Sequence, residues 1–139
     1  MLTVGFAGKL WETSEERLQR KGKHMSIYRH LPGPRLSEAV VANGIIWLAG
    51  QVPENTTEDA KAQTANVLTQ IDTVLADLGV DKTHVVDATI FLPDLADYDA
   101  MNEAWDAWVV QGHTPARATV QAALAKPEWK VEIKVVAVR

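Results

Sequence analysis

The chain reads as one α+β domain, a β-sheet of about five strands with two helices on one face, in the order β-β-α-β-α-β-β. Three observations lead there. Two segments carry apolar residues at three- and four-residue steps, the helical period. Around them lie short runs rich in β-branched and aromatic residues, each closed by Gly, Pro, Asn or Asp. The 139 residues suffice for one core and are too few for two ordinary domains.

Residues 1–24 stand apart. They are polar after Leu10, lack a sustained apolar period, and end in Lys21-Gly22-Lys23-His24 before a second methionine, Met25. They read as an N-terminal extension, flexible or derived from the start site or expression vector, with a helical stretch around Glu12–Arg20. The domain proper spans 25–139. Leu31-Pro32-Gly33-Pro34 is a turn-rich lead-in. Ala39–Val41 and Ile45–Ala49 form strands joined by Asn43-Gly44, a two-residue hairpin signal because both positions tolerate positive φ. Gly50-Gln51-Val52-Pro53 ends the second of them.

A helix follows, with Thr56 or Thr57 as its cap and Glu58 and Asp59 in its first turn, where the helix dipole favours negative charge. Ala65, Leu68, Ile71, Leu75 and Leu78 make its inner stripe, widened by Val67 and Val74, and Gly79 provides a left-handed C-terminal cap. Val85–Leu92 is a buried strand stopped by Pro93-Asp94. A second helix runs from Ala96 to Gln111, with Tyr98, Met101, Trp105, Trp108 and Val109 on its apolar face and Gly112 after it. Strands Ala116–Ala123 and Lys130–Val138 complete the chain, separated by Lys126-Pro127-Glu128. In the last strand Val136 and Val138 point opposite to Val131, Ile133, Val135 and Ala137, so both of its faces are apolar. Two helices cover only one side of such a sheet, and self-association is the expected remedy for the other.

Composition narrows the function. About half the residues are apolar (47%) and 23% are charged, a globular profile. No apolar run approaches the roughly 18 to 20 residues that span a bilayer. The absence of cysteine excludes disulfides, a thiol nucleophile and thiolate metal sites. A cytoplasmic protein without cofactor is the expectation. Of the net charge of −4, residues 1–24 contribute five basic against three acidic side chains, so the other 115 residues carry nine against fifteen. A nucleic-acid binder presents a basic stripe to phosphates, and an acidic body argues against that role. His24, His30, His84 and His113 are scattered without ligand spacing, so no metal site is expected.

Chemistry concentrates in Thr114-Pro115-Ala116-Arg117-Ala118-Thr119-Val120. Arg117 and Thr119 share one strand face, roughly 6.5 to 7 Å apart, so guanidinium and hydroxyl can line one pocket. An arginine fork after a proline-stiffened turn suits a carboxylate. A surface arginine paired with an acidic neighbour is the other reading. Glu132 interrupts an apolar strand, where a carboxylate is seldom buried without a partner. It is either a solvated edge residue beside Lys134 or, if the last two strands pair antiparallel, a proton-handling group facing the same cavity as Arg117.

These residues resemble a known family. Ala49-Gly50-Gln51-Val52-Pro53, Asp94-Leu95-Ala96-Asp97-Tyr98-Asp99-Ala100-Met101-Asn102, Pro115-Ala116-Arg117-Ala118-Thr119-Val120 and Lys130-Val131-Glu132-Ile133-Lys134-Val135-Val136-Ala137-Val138 are similar, in order and spacing, to stretches of the RidA (YjgF-type) enamine/imine deaminases. The resemblance runs from about Ser26 to Arg139. It implies a chorismate-mutase-like mixed sheet, a homotrimer built around a central barrel, and clefts between subunits. There, reactive 2-enamine and 2-imine acids such as 2-aminoacrylate would be hydrolysed to 2-keto acids and ammonia. Arg117 would clamp the substrate carboxylate and Glu132 would polarise water. Thr119 and the backbone at Gly50 would complete the lining, and Asn102 matches a family asparagine near the cleft. Where the family often has a lead-in tyrosine, this chain has Leu36, or Arg35 with a one-residue shift, and Arg35 could add a second positive charge for a bulkier acid. Ala49 and Thr119 stand where serine and cysteine are common. Imine hydrolysis asks only for orientation and one proton transfer, so neither metal nor organic cofactor is implied. The competing functions are a trimer that binds keto acids without turnover and, less supported by the acidic body, an endoribonuclease.

Overall fold

Asn43 and Gly44 both take positive φ, 53° and 75°, and the chain reverses there into a hairpin of β2 (Ser37–Ala42) and β3 (Ile45–Leu48). Residues 13–17 and 26–139 are described by the computed structural model. Within the first of these stretches, residues 14–17 form one helical turn. Its start is satisfied by the Thr13 hydroxyl, which accepts from the Glu16 amide, and by the Glu16 carboxylate, which accepts from the Thr13 amide. The rest of the helical stretch expected around Glu12–Arg20 lies outside the described residues.

The lead-in is not only a turn. Residues Ile27–Pro32 form β1, an edge strand paired antiparallel with β2 from Ile27↔Ala42 to Pro32↔Ser37. Its side chains are almost all exposed, so the sequence shows no two-residue alternation. Pro32, at its end, is tolerated because an edge strand has a row of N–H groups that need no partner. The order is therefore β-β-β-α-β-α-β-β, with one more strand than expected.

Helix α1 (Ala60–Asp77) starts later than expected. Its cap is Asp59, whose carboxylate accepts from the Ala62 amide at 2.9 Å, and not Thr56 or Thr57. Val67, Leu68, Ile71, Val74 and Leu75 face inward, whereas Ala65 is exposed and Gln63 and Thr64 take its place inside. At the other end Gly79 (φ 80°) allows the Val80 amide to reach back to the Leu75 carbonyl. Strand β4 (Val85–Leu92) has the expected bounds. Helix α2 (Tyr98–Trp108), entered through a short turn at Leu95–Asp97, is three residues shorter at its C-terminus than its pattern suggested. The Trp108 indole N–H donates to Asp72 of α1 at 2.9 Å and ties the helices together. Strands β5 (Ala116–Gln121) and β6 (Glu132–Val138) follow.

The six strands form one sheet in the order β1-β2-β3-β6-β4-β5. β4 and β5 are parallel, connected across α2, and the other pairs are antiparallel, so the sheet is mixed. Ala39, Val41, Ile46, Leu48, Ala88, Ile90, Leu92, Ile133, Val135 and Ala137 point to one face and pack against both helices. The alternate residues populate a face that no helix covers. Val40, Ile45, Trp47, Phe91, Val120, Val136 and Val138 lie there, with Trp47 38% and Val120 43% exposed. Burying such side chains is worth about 25 cal/mol per Å², a standing drive toward association.

Candidate active site

Arg117 lies on the helix-covered face of edge strand β5, level with Ala88, and half-buried. Its guanidinium donates to Asn102 Oδ1 at 2.8 Å and to the Tyr98 hydroxyl at 3.5 Å, and it stacks 5.2 Å from the Trp105 ring centre. All three contacts are neutral groups on α2. No carboxylate among the described residues lies within ion-pair distance of Arg117, so the acidic neighbour of the alternative reading is not found among them. A half-buried charge without counter-ion has lost hydration that an anionic ligand would restore. Thr119, two residues along on the same face, has a buried hydroxyl oxygen with no hydrogen-bond partner. An unsatisfied hydroxyl beside an unneutralised fork is suited to a small acid.

Tyr98 and Trp105 were expected only as apolar helix packing. The clue lay in their spacing from Asn102, since residues 98, 102 and 105 follow the three- and four-residue steps of one helix face.

Glu132 belongs to a different environment. The expected antiparallel pairing of the last two strands does not occur, because β4 separates β5 from β6. Glu132 pairs with Phe91 while Arg117 pairs with Ala88. The two residues are thus two strands apart, roughly 10 Å across the sheet, and their side chains point to opposite faces. Within one chain they do not share a cavity.

Glu132 has another neighbour in Gly50. A β-carbon at Gly50 would stand 2.6 Å from Glu132 Oε2 and 3.1 Å from its Cδ, so only glycine permits this approach. The next residue, Gln51, is buried; its side-chain amide donates to the Ala49 carbonyl at 3.0 Å and to Glu38 Oε2 at 3.2 Å. Arg35 and Leu36 sit in the exposed β1–β2 turn and line a surface hollow of about 520 Å³ with Leu31 and Glu38. They belong to the Gly50 side and lie at the opposite sheet edge from Arg117. Lys134 Nζ donates to the Leu48 carbonyl.

Behind this group, and not anticipated, is Gln63 of α1. It is fully buried, donates to the Glu58 and Glu128 carbonyls at 3.1 and 3.2 Å, and accepts from the Lys130 amide at 2.8 Å. It anchors the loop that delivers Glu132. His84 caps a short turn with Asp81. No group of three or more His, Asp or Glu side chains converges among the described residues.

A family model described as Endoribonuclease L-PSP matches residues 29–139. Among curated relatives, the RutC family protein YoaB of Escherichia coli strain K12 is 54% identical over 113 residues, covering 81% of this chain and 98% of its own. The chain belongs to the RidA (YjgF-type), or RutC, family. A YjgF-family crystal structure from Neisseria meningitidis superposes with a TM-score of 0.80 at 58% identity, covering 84% of this chain and 97% of that one. The family also includes a chloroplastic protein of Arabidopsis thaliana named Reactive Intermediate Deaminase A, 36% identical over 107 residues, covering 73% of this chain and 57% of its own. The YjgF-family structures share the one-sheet α+β architecture described above. No helix among the described residues is long and apolar enough to cross a membrane.

Proposed function

We propose that this protein hydrolyses reactive 2-enamine and 2-imine acids to 2-keto acids and ammonia, in a site completed only when two subunits meet. The observation that carries the reading is Arg117, a half-buried guanidinium fixed by Asn102, Tyr98 and Trp105 and neutralised by none of them. It would hold the substrate carboxylate in bidentate fashion, with Thr119 donating to a second polar atom. Glu132, beside Gly50, would orient water and pass its proton to the departing amine. The deaminase name of the plant relative supports this chemistry.

Because Arg117 and Glu132 face opposite sides of one sheet, the active unit requires Arg117 of one subunit to approach Gly50 and Glu132 of the next. The uncovered apolar face supports such packing, and a homotrimer closes it with cyclic symmetry. The expected composite site has a sharp test. Arg117→Ala and Glu132→Gln should each abolish keto-acid release from enzymatically generated 2-aminoacrylate. Mixed one to one with subunit exchange, the two inactive proteins should regain about a quarter of wild-type activity, since random assembly leaves one site in four with both halves intact. Activity in either variant alone refutes the roles; failure to complement, with exchange verified, refutes the composite site.

The family model's description favours a second reading, RNA cleavage. Ribonuclease activity in the wild type that disappears in Arg117→Ala would establish it, whereas equal residual activity in both would mark a contaminant. Calorimetric binding of 2-ketobutyrate without turnover would instead identify a keto-acid sensor.

A further inference from the structure

The register of β3 against β6 contains an irregularity. Trp47 pairs with Val136, and Gln51 bridges Ile133 through both of its backbone bonds, at 2.9 and 3.0 Å. Three residues, Leu48, Ala49 and Gly50, therefore stand opposite two, Lys134 and Val135. One extra residue on one strand is a β-bulge, a device that re-aims the backbone and is frequent beside active sites. Here it pushes Gly50 against the Glu132 carboxylate.

Two successive carbonyls of the bulge are held by side chains: Ala49 by the Gln51 amide and Leu48 by the Lys134 ammonium. Lys134 is out of keeping with its surroundings. Alternation puts it on the uncovered face with Trp47, Phe91, Val136 and Val138, where a four-carbon stem would ordinarily carry its charge into water. It turns back onto the main chain instead and makes a charge-assisted hydrogen bond. It also flanks Glu132 two residues along the same strand and face, roughly 6.5 to 7 Å away.

We propose that Lys134 is a positioning residue of the deaminase site: by gripping the Leu48 carbonyl it locks the bulge, and the locked bulge fixes where Glu132 can stand. This rests on the catalytic reading above. Lys134 does not touch substrate, so its loss should slow the chemical step and leave carboxylate binding intact. Arg117 has the converse signature.

The test compares Lys134→Met and Lys134→Arg with the wild type in keto-acid release from 2-aminoacrylate, alongside amide hydrogen exchange of the intact oligomer. Lys134→Met should lower kcat about ten-fold with KM within about two-fold, as expected when only transition-state geometry is lost. Exchange should accelerate at residues 48–51 and remain at the wild-type rate in α1 and β4. Lys134→Arg, which can still donate, should restore most of kcat. Wild-type kcat in Lys134→Met overturns the proposal, as does a loss of activity accompanied by faster exchange throughout the sheet, which marks a general structural role. If Arg117→Ala and Glu132→Gln are inactive while Lys134→Met is not impaired, only this proposal falls. If those two variants keep full activity, the catalytic reading falls and the role of Lys134 falls with it.

Discussion

Gly50→Ala isolates the position of one carboxylate from the stability of the fold. The added β-carbon would lie 2.6 Å from Glu132 Oε2, and the atoms behind it, Cδ and Cγ, would be 3.1 and 3.4 Å away. To regain ordinary contact the oxygen must retreat by roughly 0.8 Å or swing to another rotamer, at a cost of about 0.5 to 1.5 kcal/mol. Against this, Gly50 is not among the glycines with positive φ, so alanine fits the backbone and stiffens the unfolded chain, a gain of about 0.4 to 1 kcal/mol. The two effects nearly cancel, and Tm should change by less than about 5 °C. Catalysis does not share the cancellation. A misplacement approaching 1 Å in a reacting group costs on the order of a hundred-fold in rate. Thermal melting at fixed protein concentration, together with keto-acid release from 2-aminoacrylate, reads both quantities. Wild-type turnover at unchanged Tm would show that the Glu132 position is immaterial. A fall of more than about 10 °C would show that the backbone yields instead of the side chain, and the steric reasoning would be wrong.

Two further outcomes follow from the supporting structure. Gln63→Leu keeps the volume of a fully buried side chain but removes its bonds to Glu58, Glu128 and Lys130; it should destabilise by about 2 to 3 kcal/mol, read from the urea midpoint at fixed protein concentration, and a loss below about 0.5 kcal/mol would mean that water replaces those bonds. At the β4 entrance, hydrogen bonds from the Thr83 hydroxyl first, then the Thr83 amide and His84, hold the Asp81 carboxyl below its ordinary value of 3.8. A depressed folded value means that the contribution is complete above the unfolded value and disappears as pH falls through the folded one. Wild type should therefore melt above Asp81→Ala near neutrality, with the gap closing below about pH 4; a gap independent of pH would contradict this.

What the sequence determined by itself was whatever depends on near neighbours. The three- and four-residue steps from Val67 to Leu75 make a helix wherever the chain puts them, Asn43-Gly44 turns because of its own φ preferences, and alternation in β6 decides which valines turn inward. The motif residues Arg117, Thr119 and Glu132 were legible for the same reason, as types and spacings on single strands. Partnership was not. The insertion of β4 between β5 and β6, the opposite faces of Arg117 and Glu132, the grip of Trp105 and Tyr98 on the guanidinium, and the contact of Gly50 with Glu132 all join residues distant in sequence. They are selected by the packing of the whole sheet against two helices, a free energy that no short window contains. β1 illustrates the limit from the other side: with nearly all its side chains exposed, it is specified by hydrogen bonding to β2 and by His30 lying 3.4 Å from Asp77 of α1, and both exist only once those elements are in place.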